Sequence, residues 1–352
     1  MDVRVRTDDA ALEDLATEWD ELWEADATAS VFQSAAYARV AWETDLALDR
    51  DLVVVEAREA GRLEGLAALT ADVDGVVEFL GHASVTDYLA PLCRVERRAE
   101  VAAALMAAAA DLRGWRHAEL SCLATDTGWP EALSAAARAA GMAAKRRPMD
   151  VCPRVALAGD YDAYLATLSS KLRHEIKRKA RRLEREAGAF TVRSSDAARL
   201  DEDLTLFFAM HKESDGAKGK FMHDDMAVMF ERLARAFQDR GWLRLVWLDV
   251  DGEPWASTLS FCARGVWSVY NSAFDHTKRE LGPGMVLMAE TIRAATEERC
   301  RVFDLLRGAE PYKYRFGAVD ATVEALRVEH PIGLGNAAPA RRVAEPVEER
   351  RG

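Results

Sequence analysis

The sequence predicts an α+β fold of the three-layer α/β type, with two domains in tandem that share one plan: a mixed, mostly antiparallel sheet flanked by helices. The first observation behind this prediction is the length of 352 residues, which suits two domains of ordinary size. The second is the order of the patterns. Each half of the chain contains three strand patterns, then a loop, a helix and a further strand.

The first half contains this order once. Its three strand patterns are separated by glycine turns, and an alanine-rich helix and a fourth strand follow them, at 51–57, 62–70, 76–81, 96–113 and 117–123. The loop between the third strand and the helix has no pair of closely spaced glycines. This loop therefore lacks the feature that would let a ligand approach its backbone closely.

The second half repeats the order, with strand patterns at 242–250, 254–263, 266–274 and 301–306. Between the last two, apolar residues recur at helical spacing from Met285 to Ala295. We place the domain boundary between residues 159 and 160, which gives an N-terminal domain over 1–159 and a C-terminal domain over 160–330. Residues 331–352 are rich in Ala, Pro, Glu and Arg, which predicts a disordered tail.

The composition narrows the class of protein. Apolar residues make up 49% and charged residues 30% of the chain, as in globular proteins, and no apolar run approaches the ~20 residues that cross a bilayer. The acidic N-terminus has no signal-peptide pattern, so we expect a cytoplasmic location. Five scattered cysteines and seven dispersed histidines predict neither a disulfide framework nor a metal site. The net charge of -12 argues against indiscriminate binding of nucleic acid by the whole molecule.

The stretch RELGPG, residues 279–284, joins the third strand of the second half to its helix. Backbone N–H groups at a helix N-terminus attract anions, and the helix dipole adds positive potential there. Gly282 and Gly284 allow close approach, Pro283 stiffens the turn, and Arg279 adds a charged donor. The motif predicts a cradle for a pyrophosphate, although an ordinary loop before a helix has the same composition. It matches neither the dinucleotide fingerprint nor a P-loop.

A basic segment over 171–185 holds eight Lys or Arg residues. Apolar residues at helical spacing from Leu172 to Leu183 predict an amphipathic helix with one narrow apolar stripe and a broad basic face. Such a face is commonly just solvated. It also suits a seat for substrate phosphates or a surface for tRNA, because several cations on one helix attract a polyanion.

Several stretches together resemble the GNAT acyltransferase superfamily. Within it, the sequence is most similar to the CelD/BcsL-like acetyltransferases and the Fem-type aminoacyl transferases, which carry two GNAT-like domains in tandem. The resemblance is carried, in chain order, by residues 30–42, 86–92, 169–183, 279–287 and 303–317. It implies that acyl-coenzyme A, such as acetyl-CoA, binds through its pyrophosphate to Arg279, Leu281, Gly282, Pro283, Gly284 and Met285. The first half, without paired glycines, is expected to bind no coenzyme A.

The resemblance also implies catalytic residues. Lys313 occupies the place of a lysine that, in Fem-type enzymes, is thought to stabilise charge in the transition state; the alternative is a solvated lysine between packed rings. The Tyr312 hydroxyl is a candidate acid for the leaving thiolate, and Asp304 a candidate base acting through water, although structural roles explain both equally well. Tyr270 and Asn271 are expected to border the acyl group where the fourth and fifth GNAT strands separate.

Three further residues are expected to bind the acceptor. Asp87 and Tyr88 match a family Asp-Tyr pair that faces the cleft between the domains, although a structural turn explains them equally well. Arg173 in the basic segment corresponds to an arginine beside the acceptor site. Tyr37 and Ala41 depart from the Trp and Lys that Fem-type enzymes acting on muramyl peptides place there, which argues against a nucleotide-linked muramyl peptide.

We therefore expect an acyl-CoA-dependent N- or O-acyltransferase whose small-molecule, saccharide or amino-acid-type acceptor attacks the thioester directly, without a metal, in a cleft of the C-terminal domain. The alternative is a Fem-type transferase that uses aminoacyl-tRNA, which the basic segment and Lys313 would serve. A third hypothesis is a non-enzymatic tandem domain that binds an anionic partner. The sequence predicts neither the acceptor nor the oligomeric state.

Overall fold

A computed structural model describes residues 1–44, 50–214 and 220–331 of the chain. The predicted disordered tail lies outside these ranges, apart from residue 331. The strands are β1 Asp2–Arg6, β2 Asp51–Glu59, β3 Arg62–Ala71, β4 Val76–Phe79, β5 Leu92–Cys93, β6 His117–Ala124, β7 Ala143–Ala156, β8 Phe190–Ser194, β9 Leu243–Val250, β10 Glu253–Ala263, β11 Val266–Phe274, β12 Val302–Asp304 and β13 Val319–Glu329.

Helices cover both faces of these strands. The α-helices, numbered here in chain order, are α1 Ala10–Asp14, α2 Ala16–Ala25, α3 Ala35–Glu43, α4 Arg98–Asp111, α5 Trp129–Ala139, α6 Tyr161–Thr167, α7 Ser170–Ala187, α8 Leu200–Lys212, α9 Asp224–Asp239 and α10 Pro283–Glu297. None of the helices in the described ranges is long and apolar enough to span a membrane. The predicted helices over 96–113 and from residue 285 are confirmed as α4 and α10.

All thirteen strands belong to one sheet, in the order β1-β2-β3-β4-β6-β13-β7-β12-β11-β10-β9-β8, with β5 paired to β3. Its pairs are antiparallel except for β4 with β6 and β11 with β12. The predicted fold class, a mostly antiparallel mixed sheet flanked by helices, is confirmed.

The last strand crosses from the second half of the chain into the first. Strand β13 lies between β6 and β7 and pairs with both, while β7 also pairs with β12 of the second half. The two halves therefore form one continuous sheet, and β7 and β13 are the strands that join them. The boundary at 159/160 stays a prediction, and β13 lies on its C-terminal side.

Alternate residues of the second half's strands face two different cores. Val246 and Leu248 of β9 pack in the core that contains Ile292 of α10. The intervening residues Leu245 and Trp247 pack with helices α8 and α9 and with helices of the first half. This period of two explains why β9 is apolar almost throughout: both of its faces are buried.

The parallel pair β11–β12 is short, and its end creates an opening in the sheet. The pairing covers Val266–Val302, Trp267–Phe303 and Ser268–Asp304, after which β12 ends. Just beyond this point, the register between β10 and β11 shifts, because Leu259 pairs with Asn271 and Ser260 with Val269. Tyr270 is thus the extra residue of a β-bulge. The predicted strand over 301–306 is therefore shorter than expected and stops where the gap begins.

Candidate active site

The predicted anion cradle lies directly after β11. A 3₁₀ turn over His276–Leu281 leads to Gly282, whose φ of +65° is left-handed, and Pro283 is the first residue of α10. A residue other than glycine would be strained at position 282. A Cβ atom at Gly284 would lie 3.7 Å from the Phe274 ring, an ordinary contact distance. The local sequence thus builds a tight entry into the helix.

The cradle offers fewer backbone donors than the sequence predicted. The Gly282 N–H donates to the Arg279 carbonyl at 3.0 Å, and the Met285 N–H donates to the Gly282 carbonyl at 3.1 Å. Pro283 has no N–H. Among the hydrogen bonds of the described residues, none uses the Gly284 N–H. One amide, rather than several, is therefore uncommitted at the start of the helix.

Cations from two elements lie at the cradle. Arg279 lies in the 3₁₀ turn itself, and its Nη2 is 3.4 Å from His276 Nδ1. Lys179 reaches the loop from α7, because its Nζ lies 3.2 Å from the position that a Cβ on Gly282 would occupy. The structure thus brings the predicted basic helix to the predicted cradle, a proximity that sequence spacing did not reveal.

A buried polar network joins the two halves beside the end of β12. Asp304 Oδ2 accepts hydrogen bonds from the Tyr88 hydroxyl at 2.8 Å and from Arg154 Nε at 2.9 Å, and Asp304 Oδ1 accepts from the Leu306 N–H at 2.8 Å. Arg154 Nη1 reaches Asp126 at 2.7 Å. Burial raises the pKa of Asp304, while Arg154 opposes that shift. Two predicted site residues, Asp304 and Tyr88, are therefore in direct contact.

A second pair of charges lies next to this network. Arg307 Nε is 3.3 Å from Asp87 Oδ1, and Arg307 Nη2 donates to the Ala83 carbonyl at 2.6 Å. Burial raises the pKa of Asp87 to about 6, although the charge of Arg307 acts in the opposite direction. Asp87 is thus a largely buried carboxyl group whose pKa is raised toward neutral pH, a property often found in active sites.

The Lys313 ammonium is almost fully buried and engaged by the protein. Its Nζ lies 2.9 Å from the Leu306 carbonyl, 2.8 Å from that of Arg307, 3.0 Å from that of Gly308 and 2.9 Å from Glu310 Oε2. The solvated alternative for Lys313 does not fit this environment. Its neighbour Tyr312 packs in the core under α10, where burial raises the pKa of its hydroxyl.

Tyr270 and Asn271 lie at the bulge, at the edge of the gap. The Tyr270 hydroxyl donates to the Val85 carbonyl at 2.5 Å. Asn271 Oδ1 is 2.9 Å from His211 Nε2 and also accepts from the Ser272 N–H at 2.9 Å. Both residues therefore contact elements from outside the strand pair, Tyr270 with the first half and Asn271 with α8.

Arg173 is directed elsewhere in this structure. Its Nη1 lies 3.3 Å from the Leu165 carbonyl, 3.4 Å from that of Ala166 and 2.6 Å from that of Leu168, at the C-terminal end of α6. The guanidinium thus caps a helix. Within the described ranges, no hydrogen bond or ion pair joins Arg173 to Asp87 or Tyr88, so its acceptor-binding role stays a prediction.

A cavity of about 270 Å³ lies between the halves and borders the buried network. Trp23, Tyr88 and Asp126 line it from the first half, and Ser268 and Asp304 line it from β11 and β12. Arg154, on the strand that joins the halves, also lines it. Because Ser268 and Asp304 form the last residue pair of β11 and β12, the cavity reaches the point where the strands separate.

Sequence reasoning missed Arg154, Arg307 and His211. Arg307 lies inside the stretch 303–317 that carried the resemblance, so that stretch could have indicated it. Arg154 and His211 have no local signal, because their partners are 150 and 60 residues away in sequence. In the described ranges, no cluster of three residues that could hold a metal ion is present.

Comparison with known proteins defines the class. Residues 170–314 match the model of the acetyltransferase (GNAT) domain family. Among solved structures, the chain is similar to FemX with a TM-score of 0.63 at 12% identity, covering 93% of this chain and 97% of that one. It is similar to L-PGS from Bacillus licheniformis with a TM-score of 0.55 at 14% identity, covering 92% of each chain. At these identities the likeness shows a shared fold. None of the curated proteins matches the chain in sequence.

The match to the acetyltransferase (GNAT) domain family indicates a transferase that carries out acyl transfer. Residues 170–314 match this GNAT domain, which lies in the second half over the elements that hold the cradle, the gap and Lys313.

Proposed function

We propose that the protein is an acyl-CoA-dependent N- or O-acyltransferase that acts on a small-molecule acceptor. The observation that carries this proposal is the alignment of three features along one strand: the gap after Ser268 and Asp304, the bulge at Tyr270, and the cradle at Gly282. A pyrophosphate at the cradle would receive charge-assisted contacts from Arg279 and Lys179. Its pantetheine arm would then enter the gap.

The acceptor would come from the opposite side, through the cavity between the halves. That cavity combines aromatic and polar walls, which suits a saccharide or an amino-acid-type molecule. Asp304 already accepts three hydrogen bonds, so its geometry favours holding Tyr88 and Arg154 over taking a proton. Asp87 adjoins Tyr88, which lines the cavity, and its raised pKa of about 6 makes it the better candidate to accept the acceptor's proton, because a base works best when its pKa lies near the working pH.

Aminoacyl-tRNA as the donor is the second candidate. The observation that favours it is the basic face of α7, where Lys171, Lys177, Arg178, Arg181 and Arg185 are exposed. A polyanion would bind such a face strongly at low salt. Coenzyme A is the better-supported donor, since the left-handed Gly282 and the cations around it match a compact diphosphate.

Calorimetry with acetyl-CoA tests the proposal. We compare the wild type with an Arg279→Ala, Gly284→Val double variant, because loss of a charge-assisted contact alone should weaken binding by about 10-fold to 100-fold. Arg293→Ala is the matched control, since Arg293 lies on α10 beyond the cradle and pairs with Glu290 at 2.9 Å. Equal affinity of the double variant and the wild type would refute the proposal. Transfer from aminoacyl-tRNA with no affinity for acetyl-CoA would favour the alternative.

A further inference from the structure

We propose that the acceptor is an acid. A carboxylate or phosphate group of the acceptor binds Arg301 and Arg264 at the outer end of the cavity between the halves, and its amine or hydroxyl group lies at the inner end, beside Ser268 and Asp304. This inference rests on the proposed function, because it takes the cavity to be the site of the acceptor. It adds the chemical class of the acceptor and the residues that select it.

The first argument is the charge of the cavity wall. The charged residues that line the cavity are three arginines and two aspartates, namely Arg154, Arg264, Arg301, Asp126 and Asp304. The wall therefore carries an excess of positive charge, although the formal net charge of the chain is -12. Both aspartates pair with Arg154, Asp126 at 2.7 Å and Asp304 at 2.9 Å. The excess charge thus belongs to Arg264 and Arg301.

The second argument concerns the partners of Arg264. Its guanidinium donates to backbone carbonyl groups, those of Ala29 at 3.3 Å, Glu24 at 3.4 Å and Asp26 at 2.6 Å. The Glu24 carboxylate lies 3.8 Å from Nε, and that side chain is 64% exposed. Burial lowers the pKa of Arg264, Glu24 and Asp26 oppose that shift, and the charge of Arg301 adds to it. An anion bound between the two guanidinium groups would offset their repulsion.

The third argument is that Arg301 has N–H donors left for a ligand. A guanidinium group has five donors. Among the described residues, the Arg301 side chain donates to the Arg264 backbone carbonyl alone, at 3.2 Å from Nη2. Its Nε lies 3.3 Å from the position that a Cβ on Gly265 would occupy, so the guanidinium lies at the turn between β10 and β11. Arg301 is exposed, and its planar group can bind a carboxylate or a phosphate through two parallel hydrogen bonds.

The fourth argument is the path from this turn to the gap. The cavity follows the paired part of β11 and β12 and reaches Ser268 and Asp304. Exposure falls along this path, because Arg301 is exposed whereas Ser268 is 8% and Asp304 2% exposed. Gly265 and Ser268 are three residues apart, roughly 10 Å at the rise of a strand. An acceptor whose anionic group and nucleophile are several bonds apart fits this distance, whereas an amine and a carboxylate on one carbon atom do not span it.

Three six-carbon amines test this preference without knowledge of the acceptor. 6-Aminohexanoate, 6-aminohexyl phosphate and 6-aminohexanol share the amine and the chain and differ in the group at the other end. Calorimetry measures their affinities for the protein, alone and saturated with coenzyme A. We expect at least one of the two acids to bind about tenfold or more tightly than the alcohol, as for a charge-assisted contact. The acid with the higher affinity identifies the anionic group as a carboxylate or a phosphate.

Variants of the two arginines assign the preference to this end of the cavity. Arg301→Gln should lower the ratio of acid to alcohol affinity by about tenfold, and Arg301→Lys should keep part of it. Arg264→Gln should lower the ratio as well, and Arg301→Gln, at an exposed side chain, keeps the test decisive should the Arg264 variant fail to fold. Arg299→Gln is the matched control and should keep the wild-type ratio, because it removes the same charge two residues away, outside the cavity wall.

The inference would be overturned if neither acid bound the wild type more tightly than the alcohol, or if Arg301→Gln kept the wild-type ratio. An equal fall in Arg299→Gln would also overturn it, since general attraction by charge would then explain the preference. The affinity for acetyl-CoA is measured separately and should be the same in Arg301→Gln and the wild type, because Arg301 lies outside the cradle. Failure of the wild type to bind acetyl-CoA would instead count against the proposed function.

Discussion

The parallel strand pairs of the two halves separate in the same way, yet only one of the gaps stays open. In the first half, β4 and β6 pair over Val76–His117 and Val77–Ala118. The loop that follows β4 then enters the space between them, because the Leu89 N–H donates to the Cys122 carbonyl at 3.0 Å. In the second half, no backbone hydrogen bond among the described residues crosses the gap after Ser268 and Asp304.

The helices after these gaps also begin differently. Helix α10 follows the left-handed Gly282, with Lys179 beside it. Helix α4 follows Arg97 in a helical conformation, and its first residue, Arg98, donates to the Thr127 carbonyl and to Thr28 Oγ1. The guanidinium of Arg98, held by Thr127 and Thr28, thus lies at the start of α4, the position that corresponds to the cradle at the start of α10. Under the proposed function, the fold of the second half binds the donor, whereas the fold of the first half, with its gap filled, forms a wall that carries Asp87 and Tyr88.

The largest effect is expected when the contact between the loop that follows β4 and the second half is removed. Asp304→Ala leaves the guanidinium of Arg154 and the Tyr88 hydroxyl without their shared partner. We expect the free energy of unfolding to fall by about 3 kcal/mol, the lower end for removing one partner of a buried ion pair, since Arg154 is 26% exposed and keeps its contact with Asp126. Urea denaturation measures this change.

Asp126→Ala is the control for this prediction. Asp126 contacts the same guanidinium, but its side chain is 57% exposed, so its loss should cost less than about 1 kcal/mol. If the two variants were equally destabilised, Asp304 would not be the anchor between the loop and the second half.

A smaller effect on the free energy of unfolding is expected from the titration of Asp87, which lies in the loop that follows β4. Its pKa of about 6 in the folded protein lies above its ordinary value of 3.8, so the folded state binds the proton more tightly than the unfolded state. The free energy of unfolding should therefore rise as the pH falls from about 6 to about 4, by roughly 2–3 kcal/mol from this group alone.

Asp87→Asn removes this titration. The difference in unfolding free energy between the wild type and this variant should change across that pH window and stay constant above pH 7. A difference that is the same at every pH would show that burial does not raise the pKa of Asp87 in the folded protein.

The smallest effect is expected in the second half, where Lys179 of α7 lies beside the cradle, and it concerns the affinity for acetyl-CoA. Lys179→Ala should weaken acetyl-CoA binding by about threefold to tenfold, as for a partly exposed cation at a helix N-terminus, and the effect should shrink with salt. Lys177→Ala removes the same charge from the same helix, but Lys177 lines a groove beside Tyr161 and Arg293 instead. Calorimetry that gave equal losses for both lysines would indicate general attraction rather than a contact at Gly282.

Local patterns predicted the parts of the molecule that depend on local chemistry. Gly282 and Pro283 fixed the start of α10, and the strand periodicity identified β9, β10 and β11 because each run is apolar and bounded by turns. The pairing of β13 with β6 and β7, which joins the two halves, had no such signal. Strand β7 contains Pro148 and Pro153 and a run of three charged residues at 145–147, and its pairing with β13 joins segments more than 150 residues apart.

The same limit applies to the site. Resemblance drew attention to Lys313, Asp304 and Tyr88, and the structure brings the last two into contact. What surrounds them was not predictable, because Arg154 comes from β7 and the carbonyl groups around Lys313 depend on the left-handed turn at Leu306. The roles of these residues stay predictions.

The position of β13 has a consequence for how the chain folds. Its pairing with β6 joins residues about 200 positions apart. The sheet of the first half is therefore incomplete until residues 319–329 have left the ribosome. Contacts of such sequence separation form slowly. During synthesis the facing edges of β6 and β7 would remain unpaired and liable to associate with other chains. Ribosomal pausing or chaperone binding before residue 319 is synthesised would therefore affect the yield of folded protein.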